Sequence, residues 1–195
     1  MTTSYFNGKA DIWDEKIAEK DSSKLQRMAD NLDIRSGATI LDVGTGTGVF
    51  VPFLLQKIGP QGKLVCLDYA EKMIEKVRNK KFKGQIDYVC SDIHATNFRD
   101  GAFDAVVCYS SFPHFQDKLK AFKEIRRILN KGGKLFICHT SSRAVINGIH
   151  QNIPEVSHDQ IPDREEMLGL LSSSGFKNIE LRDESDSYFV RADRE

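Results

Sequence analysis

The sequence predicts an α/β fold, a doubly wound sheet of mainly parallel strands. Three observations point there. Five apolar runs of five or six residues recur along the chain: Ala38–Val43, Lys63–Leu67, Ile86–Cys90, Ala105–Tyr109 and Lys134–His139. Such continuous runs suit strands buried on both faces. Most are separated by stretches with apolar residues at helical spacing. Finally, glycines cluster at the junction between the first run and the helix-period segment that follows.

Taken in order, the chain begins with an entry segment over residues 1–33. Within it Leu25, Met28, Ala29 and Leu32 mark a helix, with Asp21 or Ser22 as its N-cap. After the first strand, Phe50, Phe53, Leu54 and Ile58 form an apolar stripe that Gly59-Pro60 ends. Met73, Ile74 and Val77 form the next stripe. Leu119, Phe122, Ile125 and Leu129 form a third, which the pattern ends at Gly132-Gly133. The alternation breaks after Cys138. Residues 140–162 read as an irregular, polar insert with a helix around Arg143–His150. A helix over Arg164–Ser173 follows, then two strand-like runs, Lys177–Arg182 and Tyr188–Ala192, about a polar turn. A closing hairpin is one way to finish a Rossmann-like sheet, so residues 1–195 are read as one domain.

The size agrees, since 195 residues match roughly one domain of 100–200. Lys+Arg and Asp+Glu both number 28, giving zero formal net charge. That balance argues against a dedicated nucleic-acid binder and gives no general attraction to an anionic membrane. No apolar run approaches the roughly 20 residues of a bilayer span, and the first residues lack a secretory pattern. Cys66, Cys90, Cys108 and Cys138 lie in apolar runs without C-x-x-C spacing. They read as buried free thiols of a cytoplasmic protein rather than a zinc site.

The most informative segment is Ile40-Leu41-Asp42-Val43-Gly44-Thr45-Gly46-Thr47-Gly48. Its glycines allow a tight turn and let a ligand touch the backbone. A dinucleotide fingerprint would place its third glycine at position 49, which is Val49. Asp42 beside the turn would also repel a pyrophosphate. S-adenosylmethionine carries no phosphate, and its ammonium and sulfonium groups suit an acid there. Asp68 stands 24 residues after Gly44, placed to accept ribose hydroxyls. Asp92 ends the third strand, where a carboxylate could accept from an adenine amine. Each acid also has a structural reading: Asp42 as a cap of the turn, Asp68 as a helix N-cap, Asp92 as an Asx-turn.

With these residues in view, the sequence resembles the class I S-adenosylmethionine-dependent methyltransferases, closest to the small-molecule branch with the ubiquinone/menaquinone-type enzymes. The matching segments are Ile40–Gly48, Leu64–Asp68 with Ala70 and Met73, Ser91-Asp92-Ile93, Phe103–Cys108 and Glu124–Leu135. The resemblance is strong over Ile34–Cys138 and loose over Asp163–Ala192. It implies a seven-stranded sheet of order 3-2-1-4-5-7-6 with strand 7 antiparallel. It also implies that Asp42, Gly44 and Gly46 line the methionine side, with Thr45 in the same set, and that Asp68 holds the ribose. Tyr69 and Met73 would flank the adenosine, Asp92 and Ile93 would meet the adenine, and Tyr109 would lie near the methyl group. Segment 109–115 lacks the Pro-Pro-aromatic motif of amino-methylating nucleic-acid enzymes, which with the neutral charge disfavours a nucleic-acid substrate. The alternatives are an NAD-dependent oxidoreductase and a non-catalytic binder of the same cofactor.

On the substrate side, methyl transfer needs alignment and, for a protonated acceptor, a base. His114 and His139 follow strands 4 and 5 and are the candidate catalytic residues with Tyr109. Arg143, Asn147 and His150 share one helical face if residues 143–150 are helical. With Trp13, His114 and His139 they form the candidate substrate set. His114, His139 and His150 are expected to converge, with Arg143 beside them, as base plus orienter. A metal at the same cluster lacks any compact ligand motif, and none is assigned. His94 and His158 lie in neighbouring loops. The alternative reading of residues 140–162 is a polar lid.

Overall fold

The computed structural model describes residues 2–16 and 18–195. Three helices precede the sheet: α1 (Thr2–Lys9), α2 (Trp13–Lys16) and α3 (Ser22–Asp30). Asp21 caps α3, accepting from the amides of Ser23 and Lys24. Then come β1 (Thr39–Val43), α4 (Val51–Ile58), β2 (Lys63–Asp68), α5 (Glu71–Asn79), β3 (Gln85–Cys90), β4 (Phe103–Tyr109), α6 (Lys118–Ile128), β5 (Leu129–His139), α7 (Arg143–Gln151), α8 (Arg164–Ser173), β6 (Lys177–Glu184) and β7 (Ser187–Asp193). The sheet order is β3-β2-β1-β4-β5-β7-β6. The first five strands are parallel, and β7 runs antiparallel between β5 and β6. That is the order and the antiparallel strand expected above.

Alternation along the strands sorts the core into two layers. Leu41, Val43, Val106 and Cys108 face α6 and α8, packing with Phe122, Ile125, Met167 and Leu171. Ile40, Ala105, Val107 and Tyr109 face α3, α4 and α5, packing with Leu25, Phe50, Leu54 and Val77. Each fully buried Leu or Phe contributes about 1.5–3 kcal/mol.

Three expectations need correction. Gly132-Gly133 do not end α6. The helix stops at Ile128, Leu129 pairs with Phe103, and Lys134 pairs with Ala105, so residues 130–133 bulge out of β5. Asn130 anchors the bulge by donating to Asp104 Oδ1 at 2.8 Å. Secondly, Cys90 is exposed, because β3 is an edge strand; only Cys66, Cys108 and Cys138 are buried thiols. Lastly, Tyr109 shares the parity of Ala105 and Val107, so its ring leaves the sheet on the α4 face. It stacks on Phe50 at 4.5 Å, and its hydroxyl lies 3.3 Å from Thr140 Oγ1.

Candidate active site

A cavity of about 330 Å³ opens at the carboxyl ends of β1, β2, β3 and β4, under α1 and α2. This is the crevice where doubly wound sheets take ligands. Its floor is the glycine turn. Gly44 sits at φ 69°, and a Cβ there would fall 2.3 Å from Ser111 Cβ. Gly46, at φ 55°, opens to the cavity, with Trp13 Nε1 4.0 Å from where its Cβ would be. The turn is tied to β2 by its own amides. Gly44 and Thr45 donate to the Leu67 carbonyl at 2.8 and 3.0 Å, and Gly46 donates to Asp68 Oδ2 at 2.9 Å.

Asp42 lies beneath this turn and is 2% exposed. It accepts from Thr45 Oγ1 at 2.7 Å. Burial pushes its carboxyl up to about 7, against the pull of the Thr45 bond and with the help of the nearby Asp68 charge. The side chains expected at the methionine side, Asp42 and Thr45, therefore point into the core and brace the turn. Asp68 does line the cavity. Its second oxygen accepts from Ala70 N at 2.9 Å. Burial raises this carboxyl too, opposed by those amides and by His114.

Tyr69, Met73, Asp92 and Ile93 continue the wall. Asp92 Oδ1 closes an Asx-turn onto His94 N at 2.9 Å and meets His94 Nδ1 at 2.5 Å. Trp13 and Phe6 form the roof, their rings 5.5 Å apart. The roof is pinned from below. Thr47 Oγ1 donates to Asp14 at 2.5 Å, Lys80 pairs with Asp14 at 2.7 Å, and Lys72 N donates to Asn7 Oδ1 at 3.1 Å.

Ser110, Ser111, His114, Phe115 and Gln116 complete the wall, with Ser111 packed against Gly44. Ser110 stands at φ 51°, a left-handed conformation unusual for serine. His114 ends a short 3-10 turn, Phe112–His114, and its Nδ1 lies 2.8 Å from Asp159 Oδ2. The His150 ring is 4.9 Å from that of His114, and its Nδ1 lies 2.5 Å from the Asp159 carbonyl. His139 is 3% exposed with Nε2 unpartnered. Burial, helped by His114 and His150, pushes it down to about 3, so it is neutral at ordinary pH.

Of the expected substrate set, Trp13 and His114 border the cavity, and His139, Arg143, Asn147 and His150 do not. The Arg143 guanidinium turns toward Asp183 on β6, 3.9 Å away and partly exposed. Asn147 clamps the insert, donating to the Ile161 carbonyl at 3.0 Å and accepting from Ile161 N at 2.9 Å. Tyr109, on the opposite face, is not at the wall; its neighbours Ser110 and Ser111 are. Phe6, Ser111 and Asp159 were not singled out from sequence. Nothing local marks Phe6 or Ser111, whereas a carboxylate in a polar insert beside three histidines was a usable signal for Asp159. Among the described residues, no group of three His, Cys, Asp or Glu side chains is arranged to hold a metal ion.

A cavity at the carboxyl edge of a 3-2-1-4-5-7-6 sheet, bordered by Asp68 and Asp92 and, among the described residues, by no lysine or arginine, suits a cationic nucleoside better than a phosphate-bearing one. Comparison with known proteins agrees. Residues 41–137 match the methyltransferase domain family model. The ubiquinone/menaquinone biosynthesis C-methyltransferase UbiE of Klebsiella pneumoniae is 26% identical over 174 residues, covering 75% of this chain and 69% of that enzyme. Among solved structures, a chain of the complex between the Haloferax volcanii Trm112 methyltransferase activator and a methyltransferase aligns with TM-score 0.79 at 16% identity, covering 96% of each chain. Phosphoethanolamine N-methyltransferase 2 of Haemonchus contortus, in complex with phosphomonomethylethanolamine and S-adenosylhomocysteine, aligns with TM-score 0.76 at 15% identity over 99% of this chain and 57% of that one. These two share its fold. The chain belongs to the class I S-adenosylmethionine-dependent methyltransferases, and S-adenosylmethionine is its methyl donor.

Proposed function

We propose that this enzyme methylates a small-molecule acceptor, and that His114 receives the acceptor's proton. The observation that carries the reading is the position of His114: among the described residues it is the one imidazole bordering the cavity whose Nδ1 is already bonded to a buried carboxylate. The UbiE relative, by its name a biosynthetic C-methyltransferase, and the neutral net charge both support a small acceptor over a nucleic acid. Four unpaired cysteines support a reducing, cytoplasmic setting.

In this reading Asp68 accepts the ribose hydroxyls, Asp92 and Ile93 border the adenine, and Tyr69 and Met73 flank the adenosine. Gly44 and Gly46 give the methionine end close access to backbone, and Trp13 excludes water from above. When bound, S-adenosylmethionine supplies a methyl group on an electrophilic sulfonium. The protein's part is to hold the acceptor against that carbon and to remove a proton where the acceptor carries one. His139 is buried and neutral and does not border the cavity.

Calorimetry with S-adenosylhomocysteine tests the reading. The wild-type chain is expected to bind in the micromolar range, roughly −7 to −8 kcal/mol. Asp68→Asn, which keeps shape but removes the charge, should weaken binding at least tenfold, by about 1.5–3 kcal/mol. Wild-type protein that ignores the ligand, or a variant that binds it equally well, refutes the assignment of Asp68 and this cavity.

A further inference from the structure

We propose that Asp159 is the positioning residue of this site: it fixes the proton of His114 on Nδ1, leaving Nε2 as the nitrogen free to accept a proton from the methyl acceptor. This rests on reading the cavity as a methyl-transfer site. It adds a residue from the insert and restricts the acceptor to one that gives up a proton.

The argument starts from donor and acceptor roles. A carboxylate only accepts, so the 2.8 Å contact between His114 Nδ1 and Asp159 Oδ2 places the hydrogen on Nδ1. Asp159 is 7% exposed. Burial favours its neutral form, but the bonds from His114 and Gln116 outweigh that and hold the carboxyl below the ordinary range. A carbonyl also only accepts, so the 2.5 Å contact of His150 Nδ1 with the Asp159 backbone oxygen places that ring's hydrogen on Nδ1 as well. One residue thus sets the tautomer of two imidazoles, one through its side chain and the other through its backbone.

The arrangement is held from several directions. Gln116 Nε2 donates to the other carboxylate oxygen at 3.2 Å. Asp159 N donates to the Val156 carbonyl at 2.9 Å, closing the turn that carries it. The edge-to-face contact of Phe6 with the His114 ring, 4.8 Å between centroids, restrains the ring from the roof. Around His114 the titratable neighbours are Asp68 from β2, His139 from β5, His150 from α7 and Asp159, with Lys118 of α6 near the carboxylate.

The chemistry follows. The acceptor's X–H bond breaks, its electron pair stays on X, and the proton goes to the Nε2 lone pair. The resulting imidazolium keeps its Nδ1–H on the Asp159 carboxylate, and the bond to that anion now also pairs opposite charges. The freed pair on X bonds the methyl carbon as the carbon–sulfur bond breaks, that bond's pair staying on sulfur, so the leaving group is the neutral thioether S-adenosylhomocysteine. Hydroxyl, enol and thiol acceptors use such a device; a tertiary amine or thioether has no proton to give it.

Long-range proton–nitrogen NMR on the 15N-labelled full-length chain tests the proposal without an acceptor, since it separates the neutral tautomers of histidine. Spectra are taken at alkaline pH, with His114→Gln and His150→Gln used for assignment. His114 and His150 are both expected as Nδ1–H in the wild type. In Asp159→Leu the side-chain acceptor is gone but the backbone carbonyl remains. His114 should then shift toward the Nε2–H form by roughly tenfold or more, while His150 keeps its tautomer. General collapse of the insert would move both. A wild-type His114 in the Nε2–H form overturns the proposal, and that spectrum decides even if the variant fails to fold. An unchanged His114 in Asp159→Leu overturns it equally. Calorimetry with S-adenosylhomocysteine on the same samples keeps the two readings apart: loss of wild-type binding would count against the methyl-transfer site, not against the tautomer assignment.

Discussion

Asp68 and Asp159 are both buried acids at the cavity, yet they are held in opposite ways. Asp68 accepts from two backbone amides, those of Gly46 and Ala70, within one turn of the strand that carries it or the neighbouring loop. Asp159 accepts from two side chains, His114 and Gln116, each more than 40 residues away in sequence. The β1–β3 side of the cavity is thus assembled by main chain at fixed spacing. The β4–β5 side is assembled by side chains brought from the insert and the amino terminus. Backbone construction tolerates few substitutions at the turn but leaves a recognisable motif. Side-chain construction leaves no motif and can be altered one residue at a time.

The difference predicts an order of effects. The largest belongs to Gly44→Ala, because its Cβ would fall on Ser111 and its φ is positive. Left-handed strain and overpacking together cost about 2–5 kcal/mol. Denaturant unfolding should show a loss in that range, and a loss under 1 kcal/mol would mean that the turn is softer than its contacts imply.

Next comes Asp42, whose effect depends on pH. Its folded-state carboxyl titrates at about 7, above the ordinary 3.8. Below pH 4 it is protonated in both states, and the stability is fully present. As pH rises toward 7, the unfolded chain ionises freely while the folded one resists, so stability falls by a few kcal/mol and then levels. Asp42→Asn should flatten much of that decline between pH 4 and pH 8. A variant with the wild-type slope would assign the decline to other groups.

A smaller effect is expected at the roof. Thr47→Val removes the bond to Asp14 but leaves the Asp14–Lys80 pair in place. Affinity for S-adenosylhomocysteine should fall severalfold, by about 1 kcal/mol, with little change in unfolding of the sheet. Equal affinity would show that the roof is held by its aromatic contacts alone. Smallest is Arg143→Ala. Its loose, partly exposed contact with Asp183 predicts a stability change within about 0.5 kcal/mol and no change in ligand affinity. A large loss of affinity would return Arg143 to the site.

The same division explains what was legible in the sequence. Apolar runs and helical stripes locate the strands and the helices facing them, since both obey local periodicity. The helix over Arg164–Ser173 falls where its pattern places it. The start of β5 is not local: it depends on Leu129 pairing with Phe103 across the sheet, which turns an apparent helix stop into a bulge. The resemblance implies Tyr109 near the methyl group, but strand parity, shared with Ala105 and Val107, sends its ring to the α4 face. Asp68 and Asp92 could be found from strand ends. For Arg143 and Asn147 the helical wheel is insufficient, because their orientation is decided by Asp183 on β6 and by the returning insert at Ile161.

The edge position of β3 has one more consequence. Cys66, Cys108 and Cys138 are sealed in the core, where burial raises their thiols well above the normal range, while Cys90 stands at the surface with its sulfur 3.9 Å from the Tyr69 carbonyl. A thiol-reactive fluorophore should therefore attach to the folded protein at a single place, directly behind a residue that borders the cavity. The fold supplies its own labelling position, from which ligand binding can be followed as a change in emission without engineering a new cysteine or removing the other three.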